Sequence, residues 1–437
     1  MGVFEDRWRF SPGRRKALAS FAAIFGASPL FGAQVDPHGL VGHTRVLRLD
    51  EMVDAFDFEA LCYRNMTLEP YDYMAHGDGT EFNLRRNRQA FDWVDIVQGK
   101  AVDPKAVDLS STILGVPMKF PIFTAPSSGQ GALHPDGEVG MYRGATAANA
   151  LAAFASGTTV PHQKIAPAAT GPRWNQFYPI PDLGASAKQL QLFQDLGTKA
   201  IIITVDQQAS VYERDLHDRH LGGIVQTAGG RGGRGGRGGG GGGGNAAAEA
   251  AADALRSGGP IPTGGTGEPG IGTFRQFSNY RVSNRRLWYS WDYIDEVRKF
   301  IKVPVILKGI VTAEDAELCV KEGVDGIIVS NHGGRSMDYG PSTLEVLPEI
   351  VAVVNKKFPV MIDSGFRRGS DVFKALALGA DAVALGRAAR WGLGAYGAQG
   401  VQRLLEVIQA ELVHAAAYAG RPTLKSIDKT AVKVNFT

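Results

Sequence analysis

Three side chains able to do chemistry lie close together in Val303–Asp338: Lys308, His332 and Arg335, with Ser330 and Asn331 beside the histidine. Histidine exchanges a proton near neutral pH, so His332 with Arg335 three positions on suits acid–base work on a bound small molecule. The local pattern indicates what positions them. Val303–Leu307 and Gly326–Val329 are short runs rich in Val and Ile that end abruptly in polar residues. Between them, Ala313–Glu322 has helical spacing with a glycine just beyond its end. That is a strand–helix–strand unit whose strands are buried on both faces, as parallel strands are. Lys308 leaves the end of the first strand, and the Ser330–Arg335 group leaves the end of the second. A polar loop whose histidine caps a helix is the other reading of the same stretch.

The alternation continues in both directions. Phe120–Thr124, Ala152–Ala155, Arg173–Phe177 and Ala200–Val205 precede the unit, and Val360–Ile362 and Ala382–Leu385 follow it. Helical stretches such as Gly137–Ala148 and Ala185–Leu196 separate them. Strands alternating with helices in this number predict an α/β fold, a closed TIM (β/α)8 barrel. An open doubly wound sheet would carry a glycine-rich dinucleotide turn after its first strand, and none is present. Leu49 to Trp93 reads as a helical N-terminal segment, interrupted by Pro70 and by His76-Gly77-Asp78-Gly79.

Bulk properties narrow the class. The 437 residues are long for one domain but ordinary for an α/β barrel. A hydrophobic content of 44%, 21% charge and a net charge of +3 describe a globular protein with a large core and no nucleic-acid footprint. Cys62 and Cys319 are far apart and have neither disulfide nor metal spacing. No apolar run is long enough to cross a membrane.

Two segments stand outside the barrel pattern. Residues 222–273 form an insertion between the fourth and fifth strands that contains RGGRGGRGGGGGGGN, Arg231 to Asn245. Such repeats can bind single-stranded RNA, but without interleaved aromatics the composition favours a disordered loop. Near the start, Arg14-Arg15-Lys16 precedes ALASFAAIFGASPLFGAQ, which resembles a bacterial twin-arginine export signal. Residues 1–34 are therefore expected to be that signal and 35–437 the barrel domain, with an exported or periplasmic location. Without the signal the location is cytoplasmic.

In a barrel, function belongs to the C-terminal ends of the strands. Ser127 and Ser128 follow the first strand, Ser156 the second, Gln176 and Tyr178 the third, and Thr204 and Asp206 the fourth. Lys308, then Ser330, His332 and Arg335, continue the series. The last two loops, Asp363-Ser364-Gly365-Phe366-Arg367 and Gly386-Arg387, each pair glycine with arginine. Glycine allows close backbone approach and arginine offers a fork for an anion. Together these predict a phosphorylated cofactor bound beside a small substrate.

The motifs SNHGGRSMD, LKGI, ITVD, QFY and DSGFRRGSDVFKALALGADAVALGR resemble the FMN-dependent α-hydroxy acid oxidase and dehydrogenase family. Glycolate oxidase, lactate oxidase, lactate monooxygenase and mandelate dehydrogenase are members. The resemblance runs from about Leu49 to the C-terminus, broken by the Gly-rich insertion. It implies FMN as cofactor and oxidation of a 2-hydroxy acid such as lactate to a 2-oxo acid. It implies that His332 is the base, that Asp206 stabilises its charged form, and that Lys308 faces the negative edge of reduced FMN. It further implies that Ser156, Gln176 and Thr204 bond the flavin ring, with Ser127 and Ser128 on its N5 side and Ser330 nearby. Asp363 would meet the ribityl chain, and Gly365, Arg367, Gly386 and Arg387 the phosphate. Tyr73, Tyr178 and Arg335 would face the substrate, Tyr178 with a catalytic role and Arg335 clamping the carboxylate.

One position departs from the family. A second carboxylate-binding arginine is expected after the fourth strand, where this chain has Tyr212, or Glu213 if aligned without a gap, with Arg214 alongside. The alternative that follows is oxidation of an amine or of an alcohol lacking a carboxylate. The resemblance implies a homotetramer or homo-octamer. With no haem-binding stretch ahead of the barrel, the expected acceptor is oxygen, a quinone or a separate carrier.

Overall fold

Short runs dominated by β-branched and other apolar residues are too short for helices, and they form the strands at the centre of the protein. The computed structural model describes residues 47–180, 182–206, 209–211, 280–282 and 291–436. The chain divides after Leu47, and the barrel belongs to the unit from Arg48 on. The proposed export signal, the 222–273 insertion and Tyr212, Glu213 and Arg214 lie outside the described residues.

Eight parallel strands close into a barrel: β1 Ile122–Thr124, β2 Leu151–Phe154, β3 Arg173–Phe177, β4 Ile201–Thr204, β5 Val305–Ile310, β6 Gly326–Val329, β7 Val360–Ile362 and β8 Ala382–Leu385. β8 pairs with β1 to complete the ring. The strand order equals the sequence order, as the alternation predicts. Four of the eight strands, β3, β6, β7 and β8, begin and end where the sequence places them. β5 differs. It starts two residues later and runs past Lys308 to Ile310, because Gly309 takes φ +112° and a register shift falls between Lys308 and Ile310. Lys308 is thus inside the strand, paired with Thr204 of β4 and Ile328 of β6, rather than beyond its end.

The helices pack outside. The N-terminal segment gives α1 Ala55–Asn65, α2 Leu68–Ala75 and α3 Phe82–Gln89. Asp54 caps α1 by accepting from the amides of Phe56 and Asp57, and Phe58, Leu61 and Cys62 form its buried stripe. Pro70 interrupts nothing. It is the third residue of α2, where an amide has no intrahelical acceptor, and the break falls at Met66–Thr67 instead. Around the barrel follow α4 Gly137–Ala147, α5 Leu183–Asp195, α6 Trp291–Arg298, α7 Ala313–Lys321, α8 Thr343–Val354, α9 Gly369–Ala377 and α10 Arg387–Tyr418. α10 is two helices joined at a kink, Tyr396–Gly397, with φ +57° at the glycine.

Inside the barrel, Phe123, Ala153, Trp174, Ile202, Ile306, Ile328, Met361 and Ala384 pack into one core. A hairpin not evident in the sequence, Ser111–Ile113 with Val116–Met118, adds Ile113, Val116 and Met118 to that core. Leu114 and Gly115, both at positive φ, make its turn. A second antiparallel pair, Ala209–Val211 with Tyr280–Val282, joins the chain on either side of the long insertion. Among the described residues no helix is long and apolar enough to cross a membrane, and no group of side chains could hold a metal.

Candidate active site

Side chains alternate along a strand, so the residues two positions beyond the core layer also point into the barrel. Going round from β3, these are Gln176, Thr204, Lys308, Ser330 and Asp363, all buried. Continuing through β8, β1 and β2 they are Gly386, Ala125 and Ala155. One arc of the mouth is therefore polar and the opposite arc is nearly without side chains. A Cβ added to Gly386 would meet Ala125 no closer than 3.9 Å.

The polar arc is a charged cluster. Lys308 Nζ donates to Ser330 Oγ at 2.8 Å and lies 3.3 Å from Asp363 Oδ2. Ser364 Oγ donates to Asp363 Oδ1 at 2.8 Å. Burial pulls the Lys308 ammonium down, but Asp363 and Asp206 outweigh it and hold the group above its ordinary value, with Tyr178 adding to the same field. Lys308 is therefore a fixed positive charge.

His332 stands next to this cluster. Its φ is +56°, and Gly333 and Gly334 continue in the left-handed region at +69° and +77°. A histidine is held there only when its surroundings over-determine it. Ser330 Oγ accepts from His332 N at 3.1 Å, Ser364 Oγ accepts from Gly333 N at 3.0 Å, and Gly334 O accepts from Asp78 N at 2.8 Å. The His332 ring meets Asp206 through Nδ1···Oδ1 at 2.9 Å. With the proton on Nδ1 facing the carboxylate, Nε2 is left as the acceptor. Burial lowers the His332 pKa, Asp206 partly offsets this, and Lys308 lowers it further, so the imidazole is neutral at pH 7. Burial raises Asp206, but His332 and Lys308 together bring it below the usual carboxylate range. Gly309 makes the pair possible, because a Cβ there would lie 2.5 Å from Asp206 Cβ.

Arginines gather over the opposite side. Arg335 Nη1 donates to Tyr73 O at 2.6 Å and His76 O at 3.0 Å, and its guanidinium lies 4.9 Å from the Tyr73 ring centroid. Tyr73 and Ser128 share a hydroxyl–hydroxyl bond of 3.1 Å. Arg387 donates to Met74 O, Gly333 O and His76 O at 2.6, 2.7 and 2.8 Å. It thereby ties the end of α2 to the histidine loop, a role its sequence position does not reveal. Arg367 is buried, with its Nε 4.0 Å from Glu59. Burial, then Arg335 and Arg367, push the Arg387 guanidinium down to about 9, a degree of cationic crowding that an anion would relieve.

The flavin mononucleotide implied by the motifs fits these residues. Gln176 Nε2 and Thr204 Oγ1 are buried with no hydrogen-bond partner among the described residues, and buried polar groups are seldom left so without a ligand to meet them. Gln176 Oε1 accepts from Ser156 N at 3.1 Å, which fixes the amide with its NH2 turned away from Ser156. Ser127 O and Oγ both accept from Gln130 Nε2, at 3.1 and 3.3 Å, which anchors the loop after β1. Gln176, Thr204 and Lys308 lie together on the polar arc, the bare arc leaves room for a flat ring, and Arg335, Arg367 and Arg387 crowd positive charge that an anion would relieve.

The structure brings Asp206, Lys308, Ser330, His332, Asp363 and Tyr178 to one place, and Tyr73 with Arg335 and Ser128 to its rim. It also shows residues that sequence reasoning missed. Arg390, one turn after Arg387 on α10, lies 5.2 Å from the Tyr73 ring centroid, and its (i, i+3) spacing was the available signal. Asn87 and Asn331 form a buried reciprocal amide pair. The signal there was α3, FNLRRNRQ, whose buried positions Asn83 and Asn87 are amides rather than hydrophobes.

Comparison with known proteins agrees with this geometry. A family model described as FMN-dependent dehydrogenase matches residues 62–434. A peroxisomal (S)-2-hydroxyacid oxidase of Arabidopsis thaliana is 32% identical over 386 residues, 88% of this chain and 97% of that protein. Glycolate oxidase of Spinacia oleracea is 30% identical over 387 residues, 88% and 97% of the two chains. Among solved structures, mandelate oxidase with benzoyl-formic acid superposes with a TM-score of 0.69 at 29% identity, covering 88% of this chain and all of the other. A closed barrel with a cationic, hydrogen-bonding mouth and a match over most of the chain lead to one assignment: this protein belongs to the FMN-dependent dehydrogenase family and is an FMN-dependent oxidoreductase.

Proposed function

We propose that the protein oxidises a 2-hydroxy acid to the corresponding 2-oxo acid, with His332 as the base. The observation that carries this reading is the His332–Asp206 pair, Nδ1···Oδ1 2.9 Å, in which the carboxylate leaves Nε2 of a neutral imidazole as the proton acceptor. FMN, when bound, would supply the acceptor for the two electrons and for the second proton. Gln176, Thr204 and Ser156 hold its ring, with Ser127 and Ser128 at one edge and Lys308 and Ser330 at another. Asp363 meets its ribityl chain, and Arg367 and Arg387, with Gly365 and Gly386 giving access, hold its phosphate. Arg335, held at the rim by its Nη1 bonds to Tyr73 O and His76 O, takes the substrate carboxylate. Tyr73 and Tyr178 orient the hydroxyl end, and His332 Nε2 accepts one proton. Asp206 then stabilises the imidazolium that forms.

The named relatives all act on hydroxy acids, which supports the carboxylate-bearing substrate over the amine or simple alcohol suggested by Tyr212. Lactate is among the substrates the reading admits, with oxygen, a quinone or a carrier as acceptor. Assembly as a homotetramer or homo-octamer, and export through the twin arginine at Arg14-Arg15, complete the proposal. Light scattering on the eluting holoprotein tests the first, and N-terminal sequencing from the native host the second. For the chemistry the test is His332→Ala. It should keep its FMN and lose flavin reduction by a 2-hydroxy acid, whereas loss of FMN with undiminished reduction in the remaining holoenzyme would contradict the assignment.

A further inference from the structure

Asn87 on α3 is remote in sequence from every barrel strand, yet it touches the loops after β6 and β7. Its side chain forms a reciprocal amide pair with Asn331, Nδ2 to Oδ1 at 2.9 Å in each direction. Asn331 precedes the left-handed His332. Its Oδ1 also accepts from Gly334 N at 3.1 Å and its Nδ2 donates to Pro341 O at 3.2 Å. The Asn331 side chain thus spans the turn that aims His332, and Asn87 closes the remaining valence of both its atoms. On its other side, Asn87 backs the proposed phosphate loop. A Cβ at Gly365 would lie 2.5 Å from Asn87 O, and Arg88 Nη1 donates to Gly365 O and to Asp371. Both amides are buried, 1% and 8% exposed, so neither can exchange its partner for bulk water.

From this geometry we infer that Asn87 is a positioning residue for the base, acting through Asn331 to hold the His332–Gly333–Gly334 turn in its left-handed conformation. The inference rests on the proposed role of His332. Removing the Asn87 amide leaves one N–H and one lone pair of the buried Asn331 amide without a partner, while Pro341 O and Gly334 N keep the others, a state a buried side chain leaves by rotating or by admitting water. Either response releases Gly334 N and relaxes a turn that costs energy to maintain. The residues proposed to hold the substrate are Tyr73, on α2 itself, and Arg335, which donates to Tyr73 O and His76 O; among the described residues neither bonds Asn87. Loss of Asn87 therefore reaches the rate of proton removal before it reaches affinity.

The experiment is anaerobic rapid mixing of holoenzyme with a 2-hydroxy acid that reduces the wild type, comparing Asn87→Ala, Asn331→Ala and the double variant. Failure of the wild type to be reduced overturns the proposed function itself. With the wild type active, Asn87→Ala should lower the limiting reduction rate by about ten- to a hundredfold, with substrate affinity changed by less than about threefold and FMN retained. The double variant should be no slower than the worse single variant, because the two amides act as one unit. The acid limb of the reduction rate should also move toward that of an ordinary histidine, as water reaches a ring now faced by Asp206, Lys308 and Asp363. Should Asn87→Ala fail to fold, the near-isosteric Asn87→Asp carries the test, since it keeps the acceptor for Asn331 Nδ2 and lacks the donor. Its rate should then lie below wild type. Wild-type reduction rates in the folded variant, or losses that simply add in the double variant, overturn the inference.

Discussion

His332 Nδ1 and Asp206 Oδ1 lie 2.9 Å apart, although 126 residues separate them in the chain. They meet because β4 and β6 both flank β5, and because Gly309 of β5 has no side chain to keep Asp206 away.

Replacing Asp206 with asparagine should separate orientation from charge. The amide has almost the shape of the carboxylate but cannot stabilise the imidazolium. The limiting rate of flavin reduction should fall by about a hundred- to ten-thousandfold, the range that a positioned acid–base group contributes, while the protein stays yellow. An unchanged rate would remove Asp206 from the chemistry.

The pH profile follows from the lowered pKa of His332. The base works when neutral, so kcat/KM should rise with pH through a value below the ordinary 6.5 and stay high above it. Between that lowered value and 6.5, the unfolded chain binds the proton more readily than the folded one, so stability should decline as the pH falls through this window. An acid limb centred above 6.5 would contradict the environment described.

Gly309→Ala combines two penalties. The residue has φ +112°, where an L side chain is strained, and its new Cβ would overlap Asp206. A loss of at least about 1 kcal/mol in chemical denaturation is expected, together with slower flavin reduction as Asp206 is displaced. A stable variant with full activity would refute the packing argument.

Lys308→Met leaves Asp363 and Asp206 buried without their shared cation. Breaking a buried ion pair from one side costs about 3–5 kcal/mol, so a large drop in denaturation midpoint and weaker FMN retention are expected. Arg335→Lys is milder. A lost charge-assisted bond of about 1.5–3 kcal/mol should raise KM by roughly ten- to a hundredfold, with FMN content intact.

Much of this was legible in the chain, for a physical reason. Strands buried on both faces are continuous apolar runs, so β6, β7 and β8 could be bounded to the residue, whereas β3, RWNQF, has the same bounds without such a run. In a parallel barrel the next polar residue is then near the mouth. That is how Lys308, His332, Arg335 and Asp363 were found. The failures came where tertiary context decides. Pro70 reads as a helix breaker, yet it sits in the first turn of α2, where its missing amide costs nothing. Lys308 reads as lying after its strand, because a bulge at Gly309 leaves no apolar signal. Asn87 offers only an amide at a helix position that the fold turns out to bury. Its meaning comes from Asn331, 244 residues away. Arg390 acquires its place beside Tyr73 only once α10 begins at the mouth.

The most direct measurement is anaerobic mixing of the purified yellow protein with a panel of 2-hydroxy acids, among them glycolate, lactate, mandelate and longer chains, while the flavin absorbance is followed. The account predicts that at least one of them bleaches the flavin at low millimolar concentration, with one 2-oxo acid formed per flavin reduced. No bleaching by the whole panel, from a flavin that dithionite still reduces, would contradict it.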